Sequence, residues 1–165
     1  MQNCDETNLL ELRRRIFLTY LNNGITHVAS AYSCLEILYA LYAKNVLKLD
    51  KENPTDENRD RFILSTGHAA ISLYAVLEQA GFLNEVDLDT FLKPGTRLAG
   101  EPCRRDLSFV EASTGSLGHG LPLGLGMALA QKAKGLTGKT FVLLGDGECQ
   151  EGSVWEAAMG AAAYH

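Results

Sequence analysis

The chain has little of what marks several large protein classes. Its four cysteines, Cys4, Cys34, Cys103 and Cys149, include no C-x-x-C pair. That excludes the common zinc and thiol-redox motifs and leaves free thiols as the reading, with Cys149 taken as a packing residue. No apolar run approaches the ~18 residues of a membrane span. The first residues, MQNCDETNLLELRRR, place acids ahead of bases and lack the apolar stretch and small-residue cleavage site of a secretory signal. A cytoplasmic protein with no membrane partner is therefore expected. Basic residues number 15 against 20 acidic ones, for a net charge of −5. A general nucleic-acid surface needs a basic face, so that class is set aside. A locally basic pocket for a phosphorylated ligand remains compatible with the balance. No repeat or low-complexity tract is present, and Arg13, Arg14 and Arg15 read as a solvated helix face.

What is present is an ordinary globular composition, 46% hydrophobic over 165 residues, enough for one domain over 1–165. Leu9, Leu12, Ile16 and Tyr20 recur at helical spacing and predict a helix over 7–22, stopped by Asn22-Asn23-Gly24. Ser33 and Glu36 form a capping box and predict a second helix starting there. Residues 50–60 are polar, contain Pro54 and predict a surface loop. RFILS at 61–65 and TFVLL at 140–144 predict buried strands. The helix after the first strand should stop at Gly81. A short helix is expected over 85–92, and a long loop over 93–114, where Pro94, Gly95, Gly100 and Pro102 fall; long loops inside compact domains are often functional. Leu121, Leu125, Ala128 and Leu129 mark a further helix, and GSVWEAAMGAAAY a last one. Apolar strands separated by helices predict an α/β fold with a mainly parallel sheet flanked by helices. Such sheets bind ligands beyond the carboxyl ends of their strands.

Both strand ends carry candidates. After TFVLL come Gly145, Asp146, Gly147 and Glu148. The glycines allow a sharp turn and close approach to a ligand. Asp146 offers a hard oxygen for magnesium or calcium, and the following helix presents free N–H groups to an anion. A metal with an N–H cradle suits a diphosphate. A tight turn with Asp146 as a helix cap fits the spacing equally well, and spacing alone leaves both open. The dinucleotide pattern fails, because the third glycine of GDGECQEG falls two places late. Gly138-Lys139-Thr140 imitates the end of a P-loop but leads from helix into strand, the wrong order. After RFILS, Thr66-Gly67-His68 places a histidine at the other strand end, where a lone histidine is structural as often as functional. Finally, Ser113-Thr114-Gly115-Ser116-Leu117-Gly118-His119-Gly120 opens a helix whose Gly120-x-x-x-Gly124 spacing permits close packing. The segment reads either as a packing cap or as backbone curled around a ring or phosphate.

Taken in order, GITHVASAYSCLEILYALY, RDRFILSTGHAAISLYAVLEQAGF, EASTGSLGHGLPLGLGMALA and FVLLGDGECQEGSVWEAAMGAA resemble the N-terminal thiamine diphosphate-binding domain of transketolase, particularly the kind split into two subunits. The resemblance covers residues 8–165. It implies the thiamine diphosphate-binding fold and transfer of a two-carbon ketol unit between a ketose phosphate and an aldose phosphate. Thiamine diphosphate would carry the carbanion chemistry, with the protein supplying position and electrostatics. Carried over by motif, Asp146 would bind Mg2+ (or Ca2+), Gly147 would lie against the cofactor diphosphate, and Gly145 and Glu148 would bind the cofactor. Gly115, Ser116 and Leu117 would contact the cofactor, Leu117 near its aminopyrimidine ring. His68 would contact the cofactor and help form the active site. His27 would contact substrate hydroxyls or assist proton transfer. Glu151 would join a carboxylate network at a dimer interface. His119 stands where the family often has Gln.

The chain also departs from the family. Gly100-Glu101-Pro102 replaces the usual Gly-His-Pro. Glu101 would then face substrate as a carboxylate, disfavouring a phosphate and favouring a modified sugar. Thr26 stands before His27 where glycine is usual. Only 18 residues follow Gly147 in a chain of 165. The resemblance therefore implies a domain incomplete at its C-terminus, needing a partner chain or missing C-terminal sequence for activity. The pyrimidine-binding domain or subunit would come from another chain in a homo-dimer or hetero-oligomer. Alternatives are a truncated, inactive transketolase fragment or one subunit of another thiamine diphosphate enzyme.

Overall fold

The computed structural model describes residues 2–23, 27–83 and 88–164, with side chains from Asp5 onward. Gly24, Thr26, the first residues of the expected 85–92 helix and the Cys4 side chain lie outside the described residues. The chain divides into two compact units, Met1–Val46 with His68–Gly100, and Leu47–Gly67 with Glu101–His165.

The first unit is helical: α1 (Gln2–Asn23), α2 (Val28–Ala43) and α3 (Ala70–Gln79). Leu12, Ile16 and Tyr20 of α1 are buried, as are Leu35, Leu38 and Tyr42 of α2. In α3 every residue from Ala70 to Leu77 is buried, as its unbroken run of apolar and small residues requires. Its one serine in that run, Ser72, donates to the Ala31 carbonyl at 2.8 Å. Gly81 ends α3 at φ 77°, the left-handed conformation that glycine adopts without cost.

Several expectations need correction here. Helix α2 begins at Val28, not at Ser33, with His27 as its N-cap at φ 65°. Ser33 lies inside it and donates to the Ser30 carbonyl at 2.9 Å. The alanines at 29 and 31 extend the helix toward the N-terminus, and Ala31 N–H closes its first turn onto His27 O at 3.1 Å. Nor is the arginine run wholly solvated. Arg15 pairs with Glu78 of α3, Nη2 to Oε1 at 2.9 Å, and Arg13 pairs with Glu36 of α2. Within 88–92 only a 3-10 turn at Leu88–Thr90 forms.

Burial pushes the Cys34 thiol up to about 11. The folded state therefore holds its proton where the unfolded chain, with a thiol near ~8.5, releases it. Stability from this group is complete below about pH 8.5 and is lost as pH rises toward 11. Alkylation at pH 8 is expected to modify Cys103 and Cys149, both partly exposed, well before Cys34. Peptide mapping over time checks the order, and labelling of Cys34 first contradicts it.

The second unit holds β1 (Arg61–Leu64) and β2 (Thr140–Leu143), paired in parallel with Phe62 opposite Phe141 and Ile63 opposite Val142. Helices α4 (Gly120–Ala133) and α5 (Gly152–Tyr164) belong to it. The fold is α/β with a parallel sheet. Helix α4 approaches the strands through its glycines: a Cβ on Gly124 would lie 2.5 Å from Val142 Cγ2. At the amino ends of the strands, buried Asp60 accepts the N–H of Lys48 at 2.9 Å and of Lys139 at 2.7 Å. Gly138 packs on Arg59 so closely that a Cβ would meet its carbonyl at 2.2 Å. The P-loop look-alike is thus a clipped helix-to-strand turn. Strand β1 is buried at three of its four positions. Strand β2, expected to be buried, is half-buried at every position. Among the described residues it pairs on one side only, whereas parallel sheets ordinarily lie covered.

Candidate functional site

Three segments of the second unit meet at the carboxyl ends of the strands. The first is Ser65-Thr66-Gly67, leaving β1. The second is Thr114 to Gly118, leading into α4. The third is Gly145 to Glu148, leaving β2. Thr114 donates its hydroxyl to the Leu64 carbonyl at 2.7 Å. Gly67 and Gly115 touch backbone to backbone: a Cβ on Gly67 would lie 2.9 Å from Gly115 N. Gly145 is pressed against the Thr66 side chain, where a Cβ would lie 2.8 Å from Cγ2. At Gly67 the obstruction is backbone, so a side chain there would push the first two loops apart.

Asp146 and Gly147 are exposed at this edge. Asp146 is the N-cap residue of a 3-10 turn, Gly147–Gln150, yet its side chain makes no capping hydrogen bond. The capping role that sequence spacing left open is therefore not what this carboxylate does. Nothing lies within 4 Å of a Cβ built on Gly147, so its backbone faces open space. A carboxylate outside any cap, beside an open glycine, suits a hard cation bridging to a diphosphate. Among the described residues no group of three or more His, Cys, Asp or Glu side chains is placed to hold a metal ion. A magnesium ion, which takes six oxygens, would draw most of its shell from a diphosphate and from water.

Glu148 behaves differently from its neighbours. It is 2% exposed, and its carboxylate accepts the Gly118 N–H at 2.9 Å, the Gly145 N–H at 3.1 Å and the Ser65 hydroxyl. Ser116 and Leu117 are exposed beside it in the second loop, while Gly118 is buried. Gly118 sits at φ 80°, and a Cβ there would strike Ser153 Oγ at 2.5 Å and Glu151 Cβ at 2.8 Å. Ser153 also donates to the Gly118 carbonyl at 2.7 Å. Glu151 itself is exposed, at the start of α5. Glu101 reaches the second loop: a Cβ on Gly115, at φ 149°, would meet its Oε2 at 2.0 Å. His119 stands at the N-cap position of α4 without a side-chain capping bond, its Nδ1 turned to the Leu117 carbonyl at 3.0 Å.

The two remaining candidates, His27 and His68, belong to the first unit. Their rings lie 5.7 Å apart at an interplanar angle of 49°. His27 is exposed and His68 half-buried. The structure thus groups Glu101, Gly115 to Leu117, Gly145 to Glu148 and Glu151 in one unit, and pairs the histidines in the other. Sequence reasoning missed Ser65 and Ser153. Ser65 was detectable as the polar residue closing an apolar strand, but its partner stands 83 positions away.

A parallel sheet whose carboxyl ends carry glycine loops, one of them bearing a carboxylate that caps nothing, defines an α/β ligand-binding domain. Comparison with known proteins narrows this. The family described as "Transketolase, thiamine diphosphate binding domain" matches residues 19–165, and the chain belongs to that family. One subunit of the apulose-4-phosphate transketolase of Phocaeicola vulgatus is 42% identical over 138 residues, 84% of this chain and 48% of that one. The 6-deoxy-6-sulfo-D-fructose transketolase subunit of a Clostridium species is 41% identical over 136 residues, 82% of this chain and 49% of that one. The chain thus spans about half the length of these curated relatives. Among solved structures, the transketolase of Campylobacter jejuni superposes with a TM-score of 0.83 at 31% identity, over 95% of this chain and 26% of that one.

Proposed function

We propose that this chain supplies the diphosphate-binding part of a transketolase-type enzyme, which transfers a two-carbon ketol unit between sugars. The observation that carries the reading is Asp146, whose carboxylate stands outside any cap beside open Gly147 at the end of a parallel strand. In this reading Asp146 holds Mg2+ (or Ca2+), and Gly145 and Gly147 lie against the diphosphate of thiamine diphosphate. Gly115, Ser116 and Leu117 support its rings. When bound, thiamine diphosphate supplies the electron sink for the ketol carbanion. His27 and His68, paired as rings, orient substrate hydroxyls and move protons, a task suited to the histidine side chain. Glu151, exposed at the head of α5, belongs to a contact between subunits.

A pyrimidine-binding subunit, together with the half of the relatives' subunit length that this chain does not span, completes the site in this reading. Two features support that. The relative from Phocaeicola vulgatus is named as one lettered subunit of its enzyme, not as the whole of it. In addition, β2 is half-exposed and α5 turns Trp155 and Met159 outward, at 61% and 65% exposure. The test is reconstitution: the chain, joined to the remaining half of its Phocaeicola vulgatus relative, with a separately expressed pyrimidine-binding subunit of a transketolase, magnesium and thiamine diphosphate. Ketol transfer from a ketose is the expected result; its absence under conditions where the two chains associate counts against the reading.

Glu101 sets the substrate preference. Its carboxylate lies over Gly115, within the loop assigned to the cofactor, and a second negative charge approaching it is repelled. A sugar offering a hydroxyl or amine at that point is favoured over a phosphate. In the reconstituted enzyme, Glu101→His is expected to raise kcat/KM for a ketose phosphate relative to an uncharged ketose about tenfold, or ~1.4 kcal/mol. An unchanged ratio sinks this assignment.

A further inference from the structure

A carboxylate removed from water is costly unless hydrogen bonds replace its solvation. At Glu148 that replacement comes from three different segments. Oε2 accepts the Gly145 N–H, from the loop after β2. Oε1 accepts the Gly118 N–H, from the loop before α4, and the Ser65 hydroxyl, from the end of β1. The Ser65 oxygen in turn accepts the Gly120 N–H at 3.1 Å. Each carboxylate oxygen therefore serves one of the two loops that the proposed function assigns to the cofactor. With both oxygens engaged and buried, the group does not share the exposed edge occupied by Asp146 and Gly147.

We propose that Glu148 is a positioning residue, not a direct cofactor contact. Its carboxylate couples the diphosphate loop at Gly145 to the ring loop at Gly115–Gly118, so that fixing one fixes the other. The inference rests on the proposed cofactor site for the identity of the two loops, not for the coupling itself. The residue type follows from the task. Two backbone amides and a hydroxyl all donate here, so the hub must accept on both of its ends. Glutamine would present an NH2 group to one of those donors. Aspartate is one methylene too short to span them.

The fold supplies its own reporter. Trp155 is the chain's one tryptophan, and its indole N–H donates at 2.9 Å to the carbonyl of Cys149, the residue after Glu148. In the 165-residue chain, Glu148→Gln is expected to accelerate amide hydrogen exchange at both Gly118 and Gly145 about tenfold. That is the order expected for losing one hydrogen bond to a charged group. The strand amides of Ile63 and Val142 should keep their rates, and Trp155 emission should shift. Ser65→Ala, a milder change should Glu148→Gln fold poorly, is expected to move the same two amides by a smaller factor. In the reconstituted enzyme, Glu148→Gln should raise half-saturation by magnesium thiamine diphosphate about tenfold and leave kcat at saturation within about twofold. Exchange rising uniformly through strands and loops, or at one loop alone, overturns the coupling. So does a fall in kcat with half-saturation unchanged. If the wild-type assembly binds no thiamine diphosphate, the proposed function fails, while the exchange measurement still decides the coupling.

Discussion

Asp146→Ala is expected to weaken magnesium-dependent binding of thiamine diphosphate by the reconstituted enzyme at least about 100-fold. Changes to groups that merely support a metal ligand cost about 10–100-fold in affinity, and a direct anionic ligand should cost no less. Magnesium dehydrates reluctantly and is held by one or two carboxylates together with phosphate oxygens. Losing one of so few protein ligands removes much of the protein's hold on the ion. Without the ion, the negative diphosphate meets this edge with little charge compensation. The fold should be untouched, because Asp146 is exposed and its side chain makes no capping bond. Stability within ~0.5 kcal/mol of wild type is the corresponding expectation. Calorimetric titration with cofactor and metal, alongside a melting curve, reads both quantities. Undiminished affinity would remove Asp146 from the metal site. The chain alone should bind more weakly than micromolar, since it spans only about half the length of its curated relatives.

The second large effect separates two glycines of one helix. A Cβ on Gly120 would lie 2.2 Å from Ser65 Oγ and 2.9 Å from Ser65 Cα. The obstruction includes backbone, so no side-chain rotation relieves it. Gly120→Ala must also disturb the Gly120 N–H bond to Ser65. Overpacking of this kind costs about 3 kcal/mol. Gly126, six residues along α4, has nothing within 4 Å of a built Cβ. Gly126→Ala should stabilise by about 1 kcal/mol, because alanine gives up less chain entropy in a helix. The two variants should therefore melt roughly 10 °C apart, on opposite sides of the wild type. Differential scanning calorimetry decides; equal melting temperatures would mean that α4 does not rest on Ser65.

What the sequence reveals, and what it conceals, follows from the range of each interaction. RFILS and TFVLL are readable as strands because periodicity and side-chain type are local properties. The stop at Gly81 is readable for the same reason, and so is the close packing through Gly120 and Gly124, since both rest on what glycine alone permits. The start of α2 is misleading because Ser33 and Glu36 form a correct local capping signal, yet the good helix formers ahead of it, Ala29 and Ala31, carry the helix back to Val28. Arg15 and Glu78 cannot be matched from sequence, being 63 positions apart. The Asp146 loop is recognisable, yet its two acids look alike. Only burial distinguishes exposed Asp146 from enclosed Glu148, and burial is decided by Ser65 and Gly118 arriving from elsewhere.

The parallel pairing of Arg61 with Thr140 has a consequence in time. The partners stand 79 positions apart in the chain (140 − 61), with one contiguous piece of the first unit, His68–Gly100, between them. Loop closure over that span precedes any reward from the sheet, whereas the neighbouring helices α1 and α2 have local contacts to form at once. At ribosomal rates of about 5–20 residues per second, β1 waits about 4–16 seconds for β2 to be made. Throughout that interval Phe62, Ile63 and Leu64 lack the strand they pair with in the finished fold. The nascent second unit is thus a client for whatever shields apolar segments during synthesis.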